Sequence, residues 1–510
     1  MAVVNVLMSI WTWFADNILT QPAYFIGLIV VIGYALLKRP WYEILAGFIK
    51  AAVGYQILLV GSSGLTSAFR PIIVGLEERF GLEAMVIDPY FGQNAIQAAM
   101  DDTSGATIVS GKSFSMVMYL LLFAFIFNIL LVKFNKYTKC RALFTTGNVQ
   151  VQQATTAYFL VLFCFPELVD NEWITLIIMT ILLGCYWAVG CNLNIENTQQ
   201  LTDGAGFTVA HQQMFGIYLA SKGAEYMNKH SKKESKNVDD IELPGFLKIF
   251  NENLVATAIL MTAFFGTILV ILGKDFLIEG GYMEEDESYV MYIITTSFSF
   301  AVYLQILQLG VRTFVNELTA SFQGISSTIL KRSVPGVDCA VTFGFGAANA
   351  VTIGFLFGAL GQFLAIGILI LAGSPVIVMA GFVPLFFDNA VIGVYANDKG
   401  GSRACMLFPF LSGLIQVFGS ALIGGWTEIA AYGGYLGMFD WATVWPLMTV
   451  IMKYLGYFGI VVCVVLLLAI PQLQYRAHPD TYFMEIEDWD QCKKIRAEQA
   501  AEKEAAKAAK

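Results

Sequence analysis

Long apolar runs recur along this chain, and each has ~20 residues, the length that an α-helix needs to cross the hydrocarbon core of a bilayer. The runs begin near Ala23, Tyr42, Ser113, Ala154, Trp173, Leu254, Tyr289, Phe355, Pro375, Ala404 and Trp441. With 57% hydrophobic and only 14% charged residues among 510, the chain has too little charge to cover a soluble protein of this size. We therefore predict an all-α polytopic membrane protein with about 11 transmembrane helices in a lipid bilayer.

The charge and the metal-binding residue types exclude several classes of function. A net charge of -9 argues against a nucleic-acid partner. The eight cysteines form no regular pairs, which predicts buried free thiols rather than disulfides. The three histidines, His211, His230 and His478, lack metal-ligand spacing. Because no nucleotide-binding fingerprint is present either, we expect no metal, no cofactor and no ATP hydrolysis by this chain.

The distribution of basic residues indicates sidedness, since Lys and Arg stay on the cytoplasmic side of a membrane. Basic clusters at 133–141 and 222–236 mark one side, and the acidic loop that begins at Lys274 marks the other. The alternation predicts an N-terminus outside and a C-terminus in the cytoplasm. We expect the charged segment 473–510 to be a cytoplasmic tail, whose Ala/Glu/Lys-rich end, 490–510, is either a solvated helix or a frayed end.

Two short motifs occur twice, which indicates an internal duplication. LTSAF begins at Leu65 and LTASF at Leu318, while IDPYFGQNA begins at Ile87 and VDCAVTFGFGAANA at Val337. The distance along the chain between the two copies is the same for both motifs to within a few residues. The first LTSAF follows an inside-to-outside crossing and the second copy follows the opposite one, so we predict that the repeats are inverted in the membrane.

The predicted membrane domain is 1–472, with repeats at about 20–221 and 250–440 joined by a cytoplasmic loop at 222–246. Inverted repeats are typical of alternating-access transporters, which hold substrate between broken or re-entrant helices. Free N–H groups at such helix ends favour anions and hydroxyl oxygens. The candidate helix ends are GSSG at Gly61, TGN at Thr146, DGAG at Asp203 and GFGAAN at Gly344. For each of them a packing role is the competing interpretation.

Polar side chains at membrane depth are costly and therefore predict a functional site. The candidates are Gln152, Gln153, His211, Gln212, Gln213 and Asp338. One member of each Gln pair is expected to be structural. A hydrogen bond to a backbone carbonyl is the alternative for His211, and an N-cap is the alternative for Asp338. Asp88, which precedes a proline, is interpreted as a turn or cap residue.

Four longer motifs carry a resemblance to a known family. They are GSSGLTSAFRP, TDGAGFTVAHQQ, GVRTFVNELTASFQGIS and GFVPLFFDNAVIGVYAN. Together they resemble the IIC membrane component of the bacterial ascorbate phosphotransferase system, over about residues 24–468. The resemblance implies a homodimer in the bacterial inner membrane, with a V-shaped scaffold domain and a mobile core domain that carries the substrate site. It also implies no enzyme activity of the chain alone, because a phosphocysteine on a separate IIB protein, recharged by a IIA protein, phosphorylates the substrate.

The resemblance also assigns ligand contacts. They fall on Gly61, Gln152, His211, Gln212 and Asp338. Two further substrate-binding positions depart from the family pattern: Asn148 stands where the family usually has His, and Pro89 where it often has Thr. His211 and Asp338 are the candidates for the base that accepts a hydroxyl proton during phosphoryl transfer.

Three functions are compatible with these residues. The first is uptake of L-ascorbate, or a related sugar acid, coupled to its phosphorylation. The second, favoured by Asn148 and Pro89, is a permease of the same type for another sugar acid or for a polyol such as galactitol. The third is an ion-coupled symporter without phosphoryl transfer, in which Asp338 binds a cation or a proton.

Overall fold

A computed structural model of the chain describes residues 22–80, 83–105, 107–231, 235–240, 252–330 and 332–508, together with Trp13, Gly245 and Ile249. Its α-helices are α1 (Pro22–Leu36), α2 (Trp41–Phe80), α3 (Pro89–Asp101), α4 (Ser115–Lys133), α5 (Asn135–Thr138), α6 (Gly147–Cys164), α7 (Glu172–Leu193), α8 (Ile195–Thr202), α9 (Met214–His230), α10 (Asn253–Leu272), α11 (Lys274–Glu279), α12 (Tyr289–Ile329), α13 (Ala348–Leu371), α14 (Asn389–Trp426), α15 (Phe439–Ala442), α16 (Val444–Leu455), α17 (Tyr457–Ala477), α18 (Met484–Glu487) and α19 (Trp489–Ala508). Its strands are β1 (Glu83–Ile87), β2 (Ala142–Phe144), β3 (Thr208–Val209), β4 (Val334–Val337), β5 (Val376–Ala380) and β6 (Gly434–Tyr435).

Six helical stretches within the described residues are long and apolar enough to cross a membrane. They are Trp41–Gly61, Ser115–Lys133, Glu172–Thr202, Asn349–Leu371, Pro384–Thr427 and Tyr457–Ala477. Shorter apolar helices occur at Ile26–Leu36, Met261–Leu272 and Tyr289–Tyr303. The prediction of a multi-pass helical membrane protein is confirmed, whereas the count of about eleven crossings stays a prediction.

The described strands form two parallel three-stranded sheets that the sequence analysis did not predict. Sheet A has the order β5-β1-β6, and sheet B has the order β2-β4-β3. Each central strand comes from one half of the chain and pairs with two strands from the other half. The fold is therefore mostly helical rather than all-α. Backbone N–H and C=O groups in a membrane interior must find protein partners, and these ladders supply them where the helices are interrupted.

The two longest helices, α2 and α12, pack against each other and contain the two copies of the LTSAF motif. Helix α2 runs without interruption through Gly61 and Gly64. The helix end predicted at GSSG is therefore wrong. A Cβ on Gly64 would lie 2.2 Å from Cδ1 of Tyr303 on α12, so this glycine serves the competing role, close packing of two helices.

Helices α13 and α14 approach closely because glycines line their contact. A Cβ on Gly361 of α13 would lie 2.2 Å from the carbonyl oxygen of Phe410 on α14, and one on Gly413 would lie 2.2 Å from the carbonyl oxygen of Gly358. Backbone atoms of the facing helix cannot move aside cheaply. Small residues at such contacts are the usual way for membrane helices to pack tightly.

We expect Gly361→Ala to destabilise the protein by about 1–3 kcal/mol, because the added methyl group overpacks this contact. Gly367→Ala on the same helix is the matched control, since a Cβ there would meet nothing within 4 Å. Thermal unfolding of the purified protein in detergent would measure both. Equal unfolding temperatures for the two variants would contradict the close contact.

The linker differs from its predicted form, whereas the end of the chain agrees with one of the two predicted forms. Helix α9 continues to His230, so the first part of the predicted 222–246 loop is helical. Residues 490–508 lie in α19, as the helical alternative predicted. The segment before α19 docks on the core, because the buried Glu485 pairs with Arg141 at 2.9 Å. All eight cysteines are buried and free, in agreement with their predicted state.

Candidate substrate-binding site

The carboxyl ends of the sheet B strands bring the predicted site residues together. Parallel strands end at the same edge of a sheet. Strand β2 leads through Thr145 to the start of α6, β3 leads to His211, and β4 leads to Asp338. A Cβ on Gly336 of β4 would lie 2.7 Å from Cβ of Ala210, so the two chain segments approach closely here. This packing places residues that are far apart in sequence around one region.

Three of the four predicted helix ends are confirmed, and two of them border this region. Helix α6 begins at Gly147, directly after Thr146. Helix α8 ends at Thr202, and Asp203 follows in the left-handed conformation with φ 50°. The 3-10 helix Cys339–Gly344 ends in the GFGAAN stretch, and α13 begins four residues later.

A chain of side-chain hydrogen bonds connects α7, α6 and the loop after β3. Trp187 Nε1 donates to Gln153 Oε1 at 2.7 Å, and Gln153 Nε2 donates to Gln212 Oε1 at 2.9 Å. Gln212 Nε2 then donates to Gln152 Oε1 at 3.0 Å. Because the indole N–H can only donate, Gln153 and Gln212 each accept one bond and donate the next, and Gln152 accepts the last. The chain holds the predicted ligand residues Gln152 and Gln212 in place.

His211 and Asp338 face each other across a gap that no direct hydrogen bond fills. His211 Nδ1 lies 2.7 Å from Gln213 Oε1. Since an amide oxygen only accepts, Nδ1 carries the proton and Nε2 of a neutral ring is an acceptor. Nε2 lies 4.0 Å from Asp338 Oδ2. A substrate hydroxyl that reaches this gap has one proton to donate, and either atom can accept it.

The N-cap interpretation of Asp338 is confirmed and its role as a ligand stays a prediction, while the alternative for His211 is wrong. Asp338 Oδ1 accepts from the backbone N–H of Ala340 at 2.9 Å and caps the 3-10 helix, which leaves Oδ2 facing His211. His211 is bonded to a side chain, Gln213, rather than to a backbone carbonyl. Asp88 is confirmed as a cap, since its Oδ1 accepts from the N–H of Tyr90 at 3.0 Å.

Comparisons with known proteins show the family of the chain. The family model of the sugar-specific permease component of the phosphotransferase system (PTS) matches residues 17–446. The chain belongs to this family. The ascorbate-specific PTS system EIIC component of Mycoplasma pneumoniae is 32% identical over 438 residues, which are 79% of this chain. The chain spans 65% of the length of that relative.

The two departures from the ascorbate pattern lie in different environments in this PTS permease component. Asn148 lies in the first turn of α6, and its buried Oδ1 has no hydrogen-bond partner among the described residues. An unpaired buried oxygen is costly, which favours a ligand as its partner. Pro89 is the first residue of α3, where the missing N–H costs nothing. The Pro89 substitution therefore removes a hydroxyl without harming the helix.

Tyr90 is a residue of the candidate site that the sequence analysis missed. Its ring is buried, and its hydroxyl lies beside the side chains of Asn148 and Gln152. The Asp-Pro-Tyr sequence was the available signal. The expectation that one member of each Gln pair is structural agrees with Gln153 and Gln213, which bond to Gln212 and His211. Gly61 lies within α2, and its role as a ligand contact stays a prediction.

A possible metal-ligand set also emerges from the tertiary structure. One donor atom each of His211, Asp338 and Cys339 lies within 4.8 Å of the others. Nitrogen, oxygen and sulfur donors together suit a divalent transition metal. The expectation of no metal site rests on the spacing of histidines along the sequence. Such spacing gives no information about contacts between residues from different halves of the chain. The expectation stays a prediction, and the same atoms are available to a substrate.

Proposed function

We propose that this PTS permease component takes up L-ascorbate, or a closely related sugar acid, and delivers it for phosphorylation by a separate IIB protein. The observation that carries the proposal is the polar cluster at the end of sheet B, where the buried His211 faces the partly exposed Asp338 with 4.0 Å between Nε2 and Oδ2. The ascorbate-specific relative supports the same substrate.

The chemistry of the cluster suits a lactone with several hydroxyls and one delocalised negative charge. The first turn of α6 has N–H groups without intrahelical partners, and these favour negative charge. The amides of Gln152 and Gln212 provide both donors and acceptors. Asn148 Oδ1 and the buried Thr146 Oγ1 have no partners in the described part of the chain, so each is free for a substrate hydroxyl.

Phosphoryl transfer requires a base, and the geometry favours His211. Its Nδ1 proton is held by Gln213, so Nε2 is ready to accept the proton of a substrate hydroxyl. The hydroxyl oxygen forms a bond to phosphorus while the phosphorus–sulfur bond of the IIB phosphocysteine breaks and the thiolate leaves. The carboxylate of Asp338 stabilises the imidazolium that results. The phosphorylated product carries more negative charge than the substrate and binds poorly to the site, so it is not carried back outside.

The architecture that we propose for this cycle is an inverted duplication. Replacing β1, β2 and β3 by β4, β5 and β6 converts the order β5-β1-β6 into β2-β4-β3, which supports repeats at about 20–221 and 250–440. The repeats would form a mobile core domain and a V-shaped scaffold that pairs in a homodimer. The N-terminus lies outside and the C-terminus in the cytoplasm, where IIA and IIB act.

A second candidate is a permease of the same type for another sugar acid or a polyol such as galactitol. Asn148 favours it, because the neutral amide cannot supply the positive charge that a His at this position offers to an anionic substrate. The same hydrogen-bonding groups bind a neutral polyol. An ion-coupled symporter is a weaker alternative, since both Asp338 oxygens already have roles, one in the cap and one opposite His211.

Uptake of labelled ascorbate and galactitol into cells that express the chain, with and without cognate IIA and IIB proteins, tests the proposal. We expect ascorbate to accumulate as its phosphate ester only when both partners are present. Accumulation of galactitol phosphate alone would support the second candidate instead, a permease for a polyol. Gradient-driven uptake of unmodified solute would overturn the phosphoryl-transfer mechanism.

A further inference from the structure

The C-terminal segment 478–508, which we call the clasp, folds against the edge of sheet B opposite the substrate site. It contains α18 and α19 and lies beyond the residues matched by the family model. It contacts the chain just before each strand of the sheet: Arg141 before β2, Asp203 before β3 and Arg332 before β4. The amino ends of all three parallel strands are thus held by one segment.

Arg141 is the buried anchor of the clasp. Its side chain is almost fully buried, and its Nη1 lies 2.9 Å from Glu485 Oε2 and also donates to the carbonyl of Tyr482. Its guanidinium lies 3.3 Å from the centroid of the Tyr482 ring. The backbone N–H and Nε of Arg141 donate to Asn192 Oδ1 at 3.0 and 3.3 Å. These contacts leave the start of β2 little freedom.

Asp203 is the second point of contact, and its backbone needs support. It adopts the left-handed conformation with φ 50°, which is unfavourable for most non-glycine residues. Lys493 Nζ and Trp489 Nε1 bind its Oδ1 at 2.7 and 3.1 Å, and these bonds lower the pKa of the Asp203 carboxyl. At Gly204, with φ 88°, a Cβ would lie 2.5 Å from Cδ1 of Trp489. The indole therefore packs directly on the loop.

The loop between Asp203 and β3 transmits this contact to the site. Gln199 Oε1 accepts from the N–H of Gly206 at 3.1 Å, and Gln199 Nε2 donates to the carbonyl of Phe207 at 2.7 Å. Both ends of the loop are therefore fixed. Strand β3 starts at the next residue, and His211 follows within three residues of that start.

Arg332 is the third contact, two residues before β4. It forms an ion pair with Glu487, and its guanidinium lies 5.8 Å from the centroid of the Phe483 ring. Asp338 follows β4 directly. Because strands rise ~3.3 Å per residue, the six-residue step from Arg332 to Asp338 spans at most roughly 20 Å.

We propose that the clasp positions the substrate site, with Trp489 and Lys493 as positioning residues that hold the strands of sheet B so that His211 and Asp338 keep their spacing. The ladder joins β2, β4 and β3 through backbone hydrogen bonds, so a shift of one amino end moves a site residue. The inference rests on the proposed function, because it takes these residues as the substrate site.

The test compares the full chain with three variants. Trp489→Ala combined with Lys493→Ala removes the Asp203 contacts. Trp489→Phe keeps a ring against Gly204 and is the conservative rescue. Lys494→Ala is the matched control, since Lys494 is an exposed neighbour on the same helix. Thermal unfolding identifies any variant that fails to fold.

Hydrogen exchange measures the site without any substrate. We expect the double variant to exchange faster than the full chain in peptides covering 203–213 and 332–340, while Lys494→Ala does not and Trp489→Phe lies close to the full chain. With IIA and IIB present, we expect the KM for the transported sugar to rise about 5-fold in the double variant, with kcat changed less.

The two proposals fail in different ways. Unchanged exchange in both peptides would overturn the clasp, whatever the substrate. A second outcome is faster hydrogen exchange in the double variant when the unmodified chain neither takes up nor phosphorylates ascorbate or galactitol. That result would overturn the proposed function but not the contact of the clasp with sheet B. Faster exchange with an unchanged KM would also overturn the positioning role, since the clasp would then act only on local stability.

Discussion

His211→Gln is expected to slow phosphoryl transfer to the bound sugar acid by about 100-fold or more, the usual contribution of a general base. Glutamine can still bond to Gln213 Oε1, which now holds the ring through Nδ1. It cannot accept the hydroxyl proton in the way that imidazole Nε2 does. Single-turnover transfer from phosphorylated IIB would measure the rate, and equilibrium binding of the unphosphorylated sugar would separate affinity from chemistry.

Asp338→Asn is the matched variant, because asparagine caps helices about as well as aspartate. We expect it to keep the bond to the N–H of Ala340 and to weaken binding more than the transfer rate. If the asparagine variant lost transfer and the glutamine variant at His211 kept it, the base would be Asp338. Equal losses in binding, with normal transfer once the sugar is bound, would remove the base role from both residues.

Arg141→Met is expected to lower the free energy of unfolding by about 3–5 kcal/mol, the range found when one partner of a buried ion pair is removed. Both side chains of the Arg141–Glu485 pair are nearly fully buried. The variant removes the donor to Glu485 Oε2 and to the Tyr482 carbonyl. Arg496 still donates to Glu485 Oε1, and the backbone N–H at position 141 still donates to Asn192 Oδ1. Thermal unfolding in detergent would measure the change.

Two further variants serve as controls for this result. Lys222→Met removes a partner of the exposed pair Lys222–Glu225 and should change stability by only ~0–1 kcal/mol. Arg141→Met combined with Glu485→Leu should recover part of the loss, because apolar residues often replace a buried ion pair without penalty. An Arg141→Met variant as stable as Lys222→Met would show that the clasp is not anchored by this pair.

Local sequence signals predicted several elements correctly. The apolar runs indicated the membrane helices, since their length alone meets the thickness of a bilayer. Asp88 and Asp338 act as caps, and the ends at Thr146, Asp203 and Gly344 formed where glycine-rich turns interrupt apolar sequence. Each of these features depends on neighbours within a few residues, which a single sequence displays directly.

The same reasoning gave a wrong prediction at GSSG, where the glycines indicated a helix end that does not occur. A glycine-rich stretch is compatible both with a helix end and with a close contact between continuous helices. The choice at Gly64 depends on Tyr303, more than two hundred residues away along the chain. Only packing separates these two interpretations.

The amino-acid sequence is enough to predict a multi-pass helical membrane protein, and it singles out Gln152, His211, Gln212 and Asp338 as polar residues among apolar runs. Their meeting in space depends on Gln153, Gln213 and the parallel pairing of β2, β4 and β3, which only the folded chain shows. The docking of the charged tail on the core likewise appears only in the folded chain. This difference arises because strand pairing and buried ion pairs join residues that are distant along the chain, and their partners become definite only when the folded backbone brings them within hydrogen-bonding distance.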